Sequence, residues 1–151
     1  MSFDVARNAY QEIEINAASN LQLVVMLYDG AIRFLNDAKA SIRKNDLPGK
    51  TLALDRALAI IGELQSTLKM EEGGEIAMSI DKLYAYMTNG ILDASLRLDV
   101  APLDEVIKLL GILNSAWTEI ANGGAPLATQ KLPTPARLVA DPTSRAFELF
   151  G

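Results

Sequence analysis

The 151-residue chain contains neither cysteine nor histidine. Without thiols, disulfide frameworks, thiolate metal sites and cysteine nucleophiles are excluded, and a reducing cytoplasm is permitted. Without imidazole, the commonest general acid/base at neutral pH is gone, with the commonest metal ligand and the Glu-x-x-His pairs of di-iron helical bundles. The chain also lacks a long apolar run: none approaches the ~18 residues that a membrane span needs. Asp4, Arg7, Glu12 and Glu14 stand where a signal peptide would carry its apolar core. The expectation is a soluble, unsecreted, cytoplasmic chain. Positive charge is in short supply, at 14 basic against 19 acidic residues, for a net charge of −5. The basic residues are scattered, which argues against nucleic acid as a partner.

What is present is apolar periodicity. Half the residues are hydrophobic, enough for one domain with a substantial core. Val24, Tyr28, Ala31, Leu35, Ala38 and Ile42 step by four and three, the spacing of one helix face. Ser19 with Gln22 offers a capping box at the start of that helix. A second segment from Pro48 to Met70 carries Leu54, Ala57, Ile61, Leu64 and Leu68, with Asn45 and Asp46 in the turn before it. Glu71-Glu72-Gly73-Gly74 interrupts the pattern, and Ile76, Ile80, Leu83, Met87, Ile91, Ala94 and Leu98 resume it. A fourth segment opens at Pro102 with Leu103, Val106, Leu110, Leu113, Trp117 and Ile120, and stops at Asn122-Gly123-Gly124. No segment alternates with period two, and short turns favour antiparallel neighbours. The expected fold is all-α, an antiparallel up-and-down four-helix bundle over residues 19–122. A short N-terminal arm, residues 1–18, and a proline-containing tail, residues 123–151, flank it.

Two features exceed what a minimal bundle needs. Leu23, Leu27 and Phe34 make a second apolar row on helix one, and Ile107, Leu109 and Ile112 do so on helix four. Such rows either fill a compact bundle or leave a groove for another amphipathic helix. The tail holds four of the six prolines and carries a net +1, against −6 for residues 1–122. In its last turns Asp141 can cap and Pro142 can open a short helix, and Phe147, Leu149 and Phe150 crowd its end.

Five motifs in order resemble the FliS family of bacterial flagellar export chaperones. They are Ala9-Tyr10-Gln11, Met26-Leu27-Tyr28-Asp29-Gly30-Ala31, Glu72-Gly73-Gly74-Glu75-Ile76-Ala77, Leu83-Tyr84-x-Tyr86-Met87 and Ala116-Trp117-x-Glu119-Ile120. Ser19-Asn20 departs from the Ser-Pro that the family often has before helix one, and the tail is longer than the family leads one to expect. The resemblance implies a helical bundle whose apolar outer grooves take the disordered C-terminal segment of flagellin in the cytoplasm, before type III export. It implies no catalysis and no cofactor, with an export-gate protein as a further partner and self-association through an unfilled groove as an option.

On this basis Tyr10, on the arm, is a candidate regulated contact. Leu23, Leu27 and Phe34 are candidate groove residues, though periodicity alone would also place them in a core. Tyr28 falls on the core stripe, its hydroxyl expected near the rim. Tyr84, Tyr86 and Ile107 complete the candidate partner-binding set, with at least one of the two tyrosines facing outward. Gly30 would allow a neighbouring backbone to approach closely, and Trp117 reads as structural. Phe147, Leu149 and Phe150 could imitate a flagellin terminus and plug the empty groove. Burying three such side chains gives roughly 5–8 kcal/mol, while ordering about six residues costs about 6–12 kcal/mol, so such a plug would be displaceable.

Rival readings fail on the residues they need. A histidine phosphotransfer domain has no histidine here, and Asp29, Asp37, Asp81 and Asp93 form no converging carboxylate motif for a metal. The remaining alternative is a non-enzymatic helical-bundle adaptor of another secretion or regulatory system, distinguished by whether a flagellin terminus binds.

Overall fold

A computed structural model describes the backbone of residues 2–68 and 70–123, with side chains over 21–68 and 73–123. It contains four helices: α1 (Ser2–Arg43), α2 (Leu47–Ser66), α3 (Met70–Arg97) and α4 (Ala101–Ala121). α1 packs against α2 and α4, and α3 packs against the same two, so the helices form a ring with α1 and α3 diagonally opposed. This is the four-helix bundle expected from the apolar spacing.

The core falls where that spacing puts it. Tyr28, Ala31, Leu35 and Ala38 of α1, Leu54, Ala57 and Ile61 of α2, Met87, Ile91 and Ala94 of α3, and Leu103, Leu110 and Leu113 of α4 are all buried. Among the described residues no charged side chain is buried. Small residues set the closest approaches. A Cβ added at Gly30 would lie 3.3 Å from Ile60 Cδ1 of α2, so the close neighbour at this glycine is a side chain rather than the expected backbone.

The ends of the helices follow local chemistry more than period. At the first turn, Asn45 takes the left-handed conformation (φ 58°), which its short polar side chain tolerates. Asp46 then caps α2, its carboxylate accepting from the Gly49 N–H at 3.0 Å. α2 stops at Ser66, short of the expected Met70. Ser66 Oγ donates to the Glu63 carbonyl and Thr67 Oγ1 to the Leu64 carbonyl, both at 2.9 Å, occupying acceptors at the helix end. The interruption expected at Gly73-Gly74 is a kink inside α3, where Gly74 adopts φ 54° and ψ −132°, outside the range of ordinary side chains.

Three expectations about ends and faces need correction. The capping box at Ser19 is not a helix start, because α1 is already helical from Ser2. With Asn20 in place of a proline, nothing in this stretch removes a backbone donor or clashes with the preceding turn, so the helix runs through. Leu98, expected on the core stripe of helix three, lies past the end of α3 at φ 52° and is exposed. There it closes a Schellman-type end, the Asp99 N–H donating to the Ala94 carbonyl at 3.3 Å. Leu109, read as part of a second row, is a core residue, because the buried arc of α4 is wide enough to include it beside Leu110.

Candidate functional site

At the centre of the bundle, Tyr28 and Tyr84 bring their hydroxyls together in a short buried hydrogen bond. The rings lie 6.4 Å apart at 46°. Because α1 and α3 are diagonal, this bond ties together two helices that do not pack side by side. Burial raises the Tyr28 phenol above its ordinary range, outweighing the hydrogen bond with Tyr84 and the nearby Trp117 indole, which pull it down. Tyr84 is pushed far up as well, first by burial, then by the neighbouring Tyr28. Both stay neutral at any pH near 7, so one hydroxyl donates to the other and the pair is not an acid/base couple. The Trp117 indole nitrogen is buried close to Tyr28 but completes no hydrogen bond of normal geometry, as is true of Asn114 Oδ1 one turn earlier.

Tyr28 and Tyr84 were both expected in contact with a partner, Tyr28 with its hydroxyl near the rim. The structure places them in the core, at 0% and 1% exposure, so in this form they support a surface without being part of it. Tyr86 is the outward tyrosine of α3. It is half-buried, and its hydroxyl donates to Glu105 Oε1 at 2.7 Å, bridging α3 to α4. Ile107 is half-buried against the core. Phe34 is also half-buried, and its ring is covered by two guanidinium groups, Arg33 at 5.1 Å and Arg56 at 5.6 Å. Leu27 packs at the edge of the core. Leu23 stands out in water, as does its neighbour Met26, which is 67% exposed. Side-chain detail at Tyr10, and all of Phe147, Leu149 and Phe150, lie outside the described residues.

Two polar pairs fix how α1 meets α4 beneath this surface. Asn114 Nδ2 donates to Asp29 Oδ1 at 2.8 Å, and Lys39 pairs with Asp104. They set an antiparallel register in which Ala121, the end of α4, is level with Gln22. Leu23 and Met26 therefore sit at the open end of the bundle, within a turn of that end. A second apolar surface was missed by the sequence reading: Leu92 and Leu96 of α3 with Leu47 of α2, all exposed, Leu96 at 85%. The i,i+4 spacing of Leu92 and Leu96, off the stripe of Ile91 and Ala94, was the signal available for it.

The chain matches the family model of the flagellar protein FliS over residues 3–124. The chain belongs to the FliS family. A Vibrio cholerae flagellar secretion chaperone FliS is 40% identical over 116 residues, covering 74% of this chain and 85% of that protein. The Salmonella typhimurium FliS is 37% identical over 118 residues, 75% of this chain and 87% of the relative. The Bacillus subtilis FliS is 32% identical over 111 residues, 74% and 82% respectively. These FliS relatives are secretion chaperones, which is not a class of enzyme. The FliS match ends at residue 124, just after the last turn of α4, and residues 125–151 fall beyond it. No helix among the described residues is long and apolar enough to cross a membrane.

Proposed function

We propose that the chain is a flagellin-specific cytoplasmic chaperone that holds the C-terminal segment of flagellin on apolar rows outside its core and keeps it from polymerising before type III export. The observation that carries this reading is the row on α1. Leu23 and Met26 are left in water beside a fully formed core, in a family of flagellar secretion chaperones. Large apolar side chains that the fold does not need are suited to an amphipathic helix, whose i, i+3 and i+4 positions would seat against them. Methionine suits such a surface, being unbranched and adaptable.

The activity needs no chemistry. A client segment covered along its apolar face is withdrawn by mass action from assembly with its own kind, and it is released when a later partner, such as an export-gate protein, competes for the complex. Tyr28 and Tyr84 hold the helices that display it, while Tyr86, bonded to Glu105, and Ile107 lie farther along the bundle, level with Ala38 and Asn36 of α1.

The test is a calorimetric titration with a peptide of roughly the last 40 residues of the flagellin from the same organism, followed in parallel by circular dichroism. One-to-one binding with helix gain and a negative heat-capacity change is expected of coupled folding on an apolar surface. Absence of binding would leave the bundle as an adaptor for some other client.

A further inference from the structure

We propose that the C-terminal tail docks its last turns on the leucine edge between α2 and α3 of its own bundle. The edge is well defined. Lys50 Nζ donates to the Ser95 carbonyl at 3.2 Å and Gln65 Nε2 to Asp81 Oδ1 at 2.8 Å, which fixes α2 and α3 antiparallel. That register brings Leu47, in the first turn of α2, to the last turns of α3, where Leu92, Leu96 and Leu98 stand. All four leucines are exposed, and none is needed to close the core.

Length, charge and pattern select the tail as the occupant. The last described helix ends at Ala121, and the family match ends at residue 124. Between there and Phe147 the chain can span on the order of 70 Å when extended. A helix of 28 residues such as α3 is only ~42 Å long. The tail therefore reaches the far end of the bundle with slack. Residues 124–151 carry a net +1 and the rest of the chain −6, so the encounter is electrostatically favoured. Read as a helix opened by Asp141 and Pro142, the terminal segment sets Phe147 with Phe150, and Ala146 with Leu149, at i,i+3. Such a two-row face would straddle the Leu92 and Leu96 ridge.

The absence of cysteine makes a clean test. Leu96→Cys with Phe150→Cys is introduced in the full-length chain, and Leu52→Cys with Phe150→Cys serves as control. Leu52 is exposed on α2 but turned away from the α2–α3 edge. Under mild oxidation at low protein concentration, docking predicts a disulfide within one chain that forms at least ~10-fold faster with Leu96 than with Leu52, because docking raises the local thiol concentration. Equal rates at the two positions, or a disulfide that joins two chains, would overturn the proposal. Both substituted leucines lie at the surface, so folding is not at stake. The rate is read without flagellin, so a chain that binds no flagellin still decides where its tail lies.

Discussion

Tyr28 and Met26 are two residues apart on α1, and they divide the labour of the molecule. Tyr28 is wholly buried and hydrogen-bonded across the bundle to Tyr84, whereas Met26 is two-thirds exposed on the outer face. Nothing in residue type separates them. A step of two residues turns the side chain by about 200°, and that rotation decides which residue enters the core and which is left at the surface. The difference teaches that one short motif can serve two faces, since the buried half sets the helix that displays the exposed half.

The largest expected effect lies on the buried side. Leu35→Ala should cost about 2–5 kcal/mol in urea unfolding, because Leu35 is fully buried and its neighbours cannot close the void. Leu23→Ala should change stability by less than ~0.5 kcal/mol in the same measurement. Should the two costs come out alike, the division between the faces is wrong.

Next in size is the tyrosine pair. Tyr28→Phe leaves the Tyr84 hydroxyl buried without its partner, at a cost of about 1–3 kcal/mol, whereas removing both hydroxyls should cost less than the sum of the two single changes. A double-mutant cycle that shows simple additivity would break the assignment of a mutual bond.

The same pair sharpens the comparison through pH. Both folded phenols are raised above the ordinary value of 10.0. Below pH ~10 both states keep the proton and the stability is fully present. As pH rises beyond that, the unfolded chain ionises first and stability falls, by up to ~1.4 kcal/mol per pH unit for each tyrosine. Chemical denaturation between pH 9 and 11 should show this loss, and a chain with both tyrosines changed to Phe should show much less of it.

The smallest effect expected is at the end of α3. Leu98 occupies a left-handed position that glycine takes without strain, so Leu98→Gly should be neutral or stabilising by up to ~1 kcal/mol, seen as a Tm shift of a few degrees upward. A clear loss of stability would mean that its side chain packs more than its exposure indicates.

These contrasts also mark what the sequence made legible. The stripes through Leu35, Ile61, Ile91 and Leu110 were readable because burial repeats at the helical period, and the period does not depend on knowing the neighbours. The helix limits were less so. Whether α2 ends at Ser66 or Met70 depends on hydroxyls bonding back to carbonyls, and whether α1 starts at Ser2 or Ser19 depends on what fails to stop it. The candidate surface was half legible. Leu23 is exposed where period alone would also allow a core position and only the family resemblance favours a groove, while Tyr28 and Tyr84 are buried, as the period of Tyr28 already indicates. The leucine edge at Leu47, Leu92 and Leu96 was missed because it joins residues of two helices, and only the α2–α3 register brings them together.

The most direct test of the account is a calorimetric titration of the flagellin C-terminal peptide against two full-length variants. One carries Leu23→Asp with Met26→Asp, and the other Tyr28→Phe with Tyr84→Phe. The account predicts at least ~10-fold weaker binding for the first with its melting little changed, and near-unchanged affinity for the second with altered stability. Equal affinity for the first variant and the unsubstituted chain would contradict it, for then the exposed row on α1 would not be where the client sits.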